Sequence, residues 1–286
     1  MMEIIPESEW DGLYGELISH KGTAIIIGAT DSGKSTLAKY LLQRLISENI
    51  KVCLIDSDVG QSSLGLPGTV SIKLFCNQKD MEDFMFEKMS FMGTVNPAKK
   101  IPFIINTTKR MVDMCRINSD ITLIDTSGLV VGETGKALKI SKIRSVKPEH
   151  IIAVQRYDEL EHILELIETS RIHRIKTSQA AKIRTVAIRT QYRKKKLQNY
   201  FNKNETADFL LKANEIKFFY NNKPFIPNKD TVKKGTLIGL NHGEDTIALG
   251  ILNDISENSV TFRSPIKSIK NINKVIFGDM TIEHSL

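Results

Sequence analysis

Cysteine is scarce in this sequence: Cys53, Cys76 and Cys115 are the only three in 286 residues, and none belongs to a CxxC pair. That speaks against a disulfide framework and against a thiolate zinc site, and each cysteine is expected to be a small buried hydrophobe. Long apolar runs are missing as well. No stretch reaches the roughly 18 residues that cross a bilayer. The acidic start "MMEIIPESEW" has neither the basic head nor the apolar middle of a signal peptide. A cytoplasmic protein with no membrane partner is expected. A third absence is local: residues 169–204 hold no Asp or Glu and eleven Lys or Arg, whereas the other 250 residues carry 29 basic against 33 acidic side chains. The net charge of +7 is thus concentrated in one segment, the footprint of a polyanionic partner.

What is present reads as a soluble α/β chain. Hydrophobic content of 41% and charged content of 26% are ordinary, and the length suits one core plus a smaller unit. "TAIIIG" (23–28), "VCLID" (52–56), "TVSIKLF" (69–75), "ITLID" (121–125) and "HIIAVQ" (150–155) read as strands. Several are apolar throughout, as strands buried on both faces of a parallel sheet are. "KSTLAKYLLQRLISEN" is a helix with Leu37, Leu41, Leu42 and Leu45 on one face. After about residue 205 the pattern changes to short strands broken by turn residues, with "NHGED" as a hairpin turn. The expected division is a domain over 1–204, whose basic lid is 169–204, and a small β-rich domain over 205–286.

The decisive stretch is "IIIGATDSGKSTLAKYLL" (25–42). It fits G-x-x-x-x-G-K-[ST], with a strand before and a helix after. The expected fold is therefore a P-loop NTPase three-layer α/β sandwich with a mainly parallel sheet, carrying a small C-terminal β domain. Backbone amides across Gly28, Thr30, Asp31, Ser32 and Gly33 would cradle phosphate oxygens at the helix N-terminus. Lys34 would neutralise the terminal phosphates, Ser35 would take a Mg²⁺ position and Thr36 would complete the loop. ATP or another NTP with Mg²⁺ is the expected ligand.

The second strand ends in "LIDSDVGQSSLGLPGT". Asp56 and Asp58 stand two apart at a strand's C-terminal end, where ligands bind in open α/β sheets. One could accept a proton from an attacking hydroxyl and another could hold a metal-bound water. Gly60 and Gln61 follow. "ITLID" delivers a third carboxylate, Asp125, followed by Thr126 and Ser127, which could hydrogen-bond a phosphate or merely shape a turn. Spacing does not divide base from metal ligand among the three aspartates. Ser35 and Asp56, the latter through water, are the expected metal contacts. In "RTVAIRTQYRKKKLQNYF", helical spacing puts Arg189, Arg193 and Lys196 on one face. Such a helix could close over a triphosphate as an arginine finger does. Arg184, Lys194 and Lys196 are expected on nucleic acid, and Tyr192 and Tyr200 either stack on bases or pack.

Taken in order, "GATDSGKST", "DSDVGQSSLGLPGT", "DTSGLVVG" and "RTVAIRTQYR" resemble the polynucleotide 5′-hydroxyl kinases. That family includes the kinase subunit of the pre-mRNA cleavage machinery, a ribosomal-RNA-processing kinase and shorter archaeal and bacterial relatives. The likeness is to the short type and runs from about residue 20 to the C-terminus. It implies transfer of the γ-phosphate of an NTP to the 5′-hydroxyl of single-stranded or duplex-end RNA or DNA. It further implies Asp58 as general base, Thr126 as a clasp on the phosphates, Arg189 and Arg193 as the lid's RxxxR pair, and Arg184 just upstream. Leu129 stands where many relatives have Trp. Only about 20 residues precede the first strand, so base contacts made by the N-terminal domain of eukaryotic members must be absent or replaced. Trp10 either stacks on adenine or anchors packing.

Two other function classes fit these residues less well. A catalytically silent ATP-binding scaffold of an RNA-processing complex would not need Lys34, Ser35, Asp58 and the lid arginines together. A GTPase would carry N-K-x-D after an apolar strand, whereas "PNKDT" (227–231) lies in the β-rich part. A partitioning ATPase would carry a lysine early in the loop, where Ala29 stands.

Overall fold

The computed structural model describes residues 4–282. Helix α1 (Glu9–Ser19) leads into strand β1 (Gly22–Gly28) and helix α2 (Lys34–Ser47). Strands β2 (Val52–Ser57), β3 (Thr69–Phe75) and β4 (Lys88–Phe91) come next, then helix α3 (Ile101–Asn118). β5 (Ile121–Thr126), α4 (Gly132–Val146), β6 (His150–Gln155), the single turn α5 (Glu161–Leu164) and β7 (Arg171–Lys176) complete the first part. The long helix α6 (Val186–Lys203) precedes β8 (Ala207–Lys212), β9 (Lys217–Tyr220), β10 (Lys223–Pro224), β11 (Thr236–His242), β12 (Asp245–Ile255), β13 (Ser259–Ser264) and β14 (Lys274–Thr281).

Five strands run parallel in the order β2-β5-β1-β6-β7. β1 shows why both faces must be covered. Ala24 and Ile26 point into one apolar cluster with α1 and α2, and Ile25 and Ile27 into another with α3 and α4. Period-two alternation with hydrophobes at every position buries a strand twice and produces three layers. "TVSIKLF" does form a strand, β3, but an antiparallel one, and β4 extends it. A single pair, Thr246 opposite Met89, then joins β4 to β12 and makes the sheet continuous with the C-terminal strands.

Two expectations are corrected. The basic segment 169–204 is not all lid: residues 171–176 form the edge strand β7, and the helix begins at Val186, capped by the Thr185 side chain on the Ile188 amide. The cysteines also depart from expectation. Cys53 on β2 and Cys115 on α3 are joined by a disulfide with Cα atoms 5.8 Å apart, and Cys76 is exposed. Packing of α3 on β2 brings together residues 62 apart in sequence, a proximity that Cys spacing does not reveal. Among the described residues, no helix is long and apolar enough to cross a membrane.

Helix α6 has two environments. Its C-terminal half plants Leu197 and Phe201 in an apolar cluster with Phe91, Leu237, Leu249 and Ile276. The Tyr200 hydroxyl accepts a hydrogen bond from the Leu249 amide, so this tyrosine packs and anchors. The N-terminal half, free of that cluster, reaches over the carboxyl ends of the parallel strands.

Candidate active site

The P-loop bridges β1 and α2. Gly33 holds φ = +90° at the helix N-cap, a conformation that favours glycine, and its carbonyl accepts from the amides of Thr36 and Leu37 to start the helix. Gly128 is required for a different reason: a Cβ there would lie 2.4 Å from the Thr30 hydroxyl, so the loop after β5 can pass the P-loop only without a side chain. Lys34 is buried, with Nζ on the Ala29 carbonyl at 2.7 Å. Burial lowers its pKa, with Asp125, Asp58 and Asp31 opposing. A cavity of about 340 Å³ opens beside this loop, walled by Lys34, Ser35, Asp58, Gln61, Ser127 and, from the lid side, Arg184, Arg189 and Arg193.

Strand register distributes the polar residues around the cavity. Ser35 Oγ donates to Asp125 Oδ2 at 2.5 Å, and Asp125 Oδ1 is buried with no partner. Burial, with Asp56 beside it, pushes Asp125 up to about 7, and Lys34 pulls the other way. A hydroxyl and a carboxylate with a spare buried oxygen fit a hard divalent cation. Among the described residues, no group of three His, Cys, Asp or Glu could hold a metal ion. Asp56, expected at the metal, is occupied elsewhere. Its Oδ2 accepts from Ser62 Oγ, the Ser63 amide and the Leu64 amide at 2.6–2.8 Å, and its Oδ1 from the Asp58 amide. Burial, then the Asp58 charge, raises its pKa. Asp56 is the hub that folds the loop 58–64. Asp58 is the carboxylate left in the cavity, its Oδ1 fixed by the amides of Gly60 and Gln61 at 2.9 and 3.0 Å.

Thr126 is displaced from the clasp position. It is fully buried, donates to the Ile26 carbonyl at 2.7 Å and accepts from Lys139. In an extended strand the residues on either side of it face the opposite way, and Ser127, whose hydroxyl has no partner, lines the cavity instead. Lys196 has partners within the protein: its ammonium binds the Ser62 and Ser63 carbonyls, both at 2.8 Å, and burial lowers it to about 8. Tyr192 donates to the same Ser62 carbonyl. Lys194 is exposed and outside the cavity wall.

Asp31, at the loop's tip with φ = +59°, meets the lid. Its carboxylate accepts from the Arg184 amide and Nε, both at 2.9 Å, and Arg189 lies 3.9 Å away. Burial raises the Asp31 pKa, but the bonds from Arg184 outweigh it and the net shift is downward. These contacts tie the P-loop to the segment that leads into α6. Arg193 bonds Thr190 and faces the cavity.

Two buried lysines that support the strand ends at the site are not legible in the sequence. Lys139 and Lys142 on α4 are fully buried directly beneath the site. Lys139 holds Thr126 and the Ser127 carbonyl, and Lys142 holds Ser57 Oγ, which also pairs with Thr108. Burial drives Lys139 well down and Lys142 to about 8, with Asp58 opposing in both cases. They tie the ends of β5 and β2 to α4. The only signal was lysine at i and i+3 in "GKALKISK", which reads as a solvent face.

The family model described as "mRNA cleavage and polyadenylation factor CLP1 P-loop" matches residues 28–203. A polyribonucleotide 5′-hydroxyl-kinase of Methanocaldococcus jannaschii is 35% identical over 200 residues, covering 69% of this chain and 55% of that protein. One of Pyrococcus horikoshii is 33% identical over 191 residues, covering 65% and 52%. The chain thus spans about half the length of the curated relatives it matches. Among solved structures, a wild-type Clp1p–Pcf11p complex superposes with a TM-score of 0.75 at 10% identity, over 96% of this chain and 79% of that one. A likeness at that identity shows a shared fold.

Proposed function

This chain belongs to the CLP1 P-loop family, and we propose that it is a polynucleotide 5′-hydroxyl kinase. The observation that carries the reading is the position of Asp58. An oriented carboxylate shares one cavity with the P-loop lysine, the Ser35–Asp125 pair and three lid arginines. A nucleotide-binding scaffold has no use for a base placed there. In the proposed reaction a strand's 5′-oxygen attacks the γ-phosphorus of ATP or another NTP in line. Asp58 takes the hydroxyl proton, the bond from the γ-phosphorus to the β–γ bridging oxygen breaks, and the nucleoside diphosphate leaves. Lys34, Arg189 and Arg193 offset the charge spreading over the phosphoryl oxygens. Ser35 and Asp125 would hold Mg²⁺, which supplies charge neutralisation at the phosphates. Ser127 takes the clasp role that Thr126 cannot. The acceptor is RNA or DNA with a free 5′-hydroxyl. Residues 1–204 form the kinase unit and 205–286 a β-rich unit that anchors its lid helix.

Incubation with γ-labelled ATP, Mg²⁺ and matched 5′-hydroxyl RNA and DNA oligonucleotides tests this. Label is expected on the 5′ end, and a protein that binds ATP yet labels neither strand is a scaffold. Asp58→Asn is expected to keep ATP affinity while kcat falls by about two to four orders of magnitude. A near-normal kcat in that variant refutes the base.

A further inference from the structure

We propose that Asp279, on β14 of the C-terminal β-rich part, is a positioning residue of the active cavity. It holds the segment 93–97, and through that segment it sets the wall beside Asp58 at which the acceptor's 5′ end is placed. The proposal rests on the kinase reading and adds that a strand outside the parallel sheet fixes the acceptor side of the site.

The segment between β4 and α3 reaches the cavity at Pro97, which lines it together with Asp58 and Gly60. Two residues earlier, the Val95 carbonyl rests on Gly60, where a Cβ would meet it at 3.1 Å. The Gly60 amide is one of the two that fix Asp58 Oδ1. The start of the segment is bonded to the same loop. The Met92 amide donates to the Gly68 carbonyl at 2.7 Å, and the Gly68 amide to the Val59 carbonyl at 2.8 Å. A shift of 92–97 is therefore passed by contact to the loop that carries the base, and none of these contacts involves the P-loop.

Asp279 grips that segment on both sides of Pro97. Its amide donates to the Gly93 carbonyl at 2.7 Å. Its Oδ2 accepts from Thr94 Oγ1 at 2.9 Å and from Lys99 Nζ at 2.7 Å. Thr94 is buried, and its hydroxyl carries the grip inward by accepting from the Asn96 amide at 3.1 Å. The two backbones pass closely, since a Cβ on Gly278 would lie 3.2 Å from the Gly93 carbonyl. Buried Lys100 adds a tie to the C-terminal part through Asn222 Oδ1 at 3.2 Å. Apolar packing is non-directional and leaves a loop able to slide, whereas hydrogen bonds to a carboxylate are short and directional. Bonds at 93, 94 and 99 fix where Pro97 and Val95 stand. Phosphoryl transfer depends mainly on positioning, and a displacement of about 1 Å caused far from the chemistry can cost about a hundredfold in rate.

In the full chain, Asp279→Ala and Thr94→Val cut the same link from its two ends, and Asp279→Asn keeps an oxygen that accepts from Thr94. Asp208→Ala is the control: it breaks the exposed bonds of Asp208 to Arg263 and Asn253 elsewhere in the β-rich part. Each variant is assayed where urea melts show it folded. Asp279→Ala and Thr94→Val are each expected to lower kcat/KM for a 5′-hydroxyl oligonucleotide by about ten- to a hundredfold, with ATP affinity by calorimetry unchanged. The double variant is expected to lose no more than either single one, and Asp279→Asn to recover most of the loss. Hydrogen exchange at the Gly60 and Asn96 amides is expected to quicken in the two link variants and not in Asp208→Ala. Equal losses for ATP and oligonucleotide, the same losses in Asp208→Ala, or unchanged transfer in the link variants overturn the proposal. The two readings fail separately. A failed kinase reading shows as no label transfer by the unaltered chain while Gly60 exchange still answers to Asp279. A failed positioning role shows as transfer by the unaltered chain that the link variants match.

Discussion

At the end of β5, three consecutive polar residues divide the work by strand alternation. Asp125 takes Ser35, Thr126 turns to the Ile26 carbonyl and Lys139, and Ser127 faces the cavity with its hydroxyl unpaired. Ser127→Ala is accordingly expected to weaken ATP binding or turnover with little loss of stability. Thr126→Val, which takes away one of the two partners of the buried Lys139 ammonium, is expected to destabilise by about 1–3 kcal/mol while ATP affinity in the folded protein holds. Chemical denaturation and calorimetry on the two variants read this, and the reverse pattern would restore Thr126 as the clasp. The buried lysines make a second residue-level claim. Lys142 and Lys196 are both lowered from 10.5 to about 8 in the fold. Between those values the unfolded chain binds more protons than the native one, so these groups add stability as pH rises from about 8 to about 10.5. Urea midpoints at about pH 7.5 and about pH 9.5 are expected to show that rise, and Lys142→Met, which keeps the stem without a charge, to show less of it. An equal rise in both chains refutes the assignment.

Among the elements, α6 is the part whose two halves have different physics. Toward its N-terminus it is basic and half-exposed, with Arg189 3.9 Å from Asp31 of the P-loop, and Arg184, just before the helix, bonded to the same carboxylate. Toward its C-terminus Leu197 and Phe201 are buried. Phe201→Ala is expected to cost about 3–5 kcal/mol of stability and to raise amide exchange across 186–203. A variant with native exchange in that helix would show that its anchor lies elsewhere. The loop 58–64 is the complementary element. Asp56 folds it from inside, and Tyr192 and Lys196 grip it from α6, so the loop that carries Asp58 is hydrogen-bonded to that helix.

For the molecule as a whole, one sheet runs from β7 to the C-terminal strands, and the apolar cluster around Phe91 and Ile276 fills the junction. The C-terminal strands thereby complete the packing that holds the C-terminal half of α6. Charge is distributed at the same scale: the excess of basic side chains lies on β7, the following loop and α6, with Lys194 and Lys195 exposed on the helix. If these lysines track a strand's backbone, replacing both with Gln is expected to lower the salt-dependence slope for single-stranded oligonucleotide binding by about 0.7 per lysine. An unchanged slope removes them from the interface. Lys196, tied to two carbonyls, is expected to contribute none of it.

Much of this molecule was legible in the chain. Apolar strands, the glycine-bounded loop with its Lys34 and Ser35, the carboxylates at strand ends and the acid-free basic segment are local patterns, and local patterns depend on spacing along one backbone. Tertiary structure decided what depends on which strands and helices meet. It gave Asp56 to a loop and Asp125 to Ser35, turned Thr126 away and Ser127 inward, and spent Lys196 on the loop's carbonyls. It buried Lys139 and Lys142, which spacing would leave in solvent, and paired Cys53 with Cys115. Burial, pairing and facing are properties of neighbours brought together through space, and a side chain's chemistry is completed only by the partners that packing supplies.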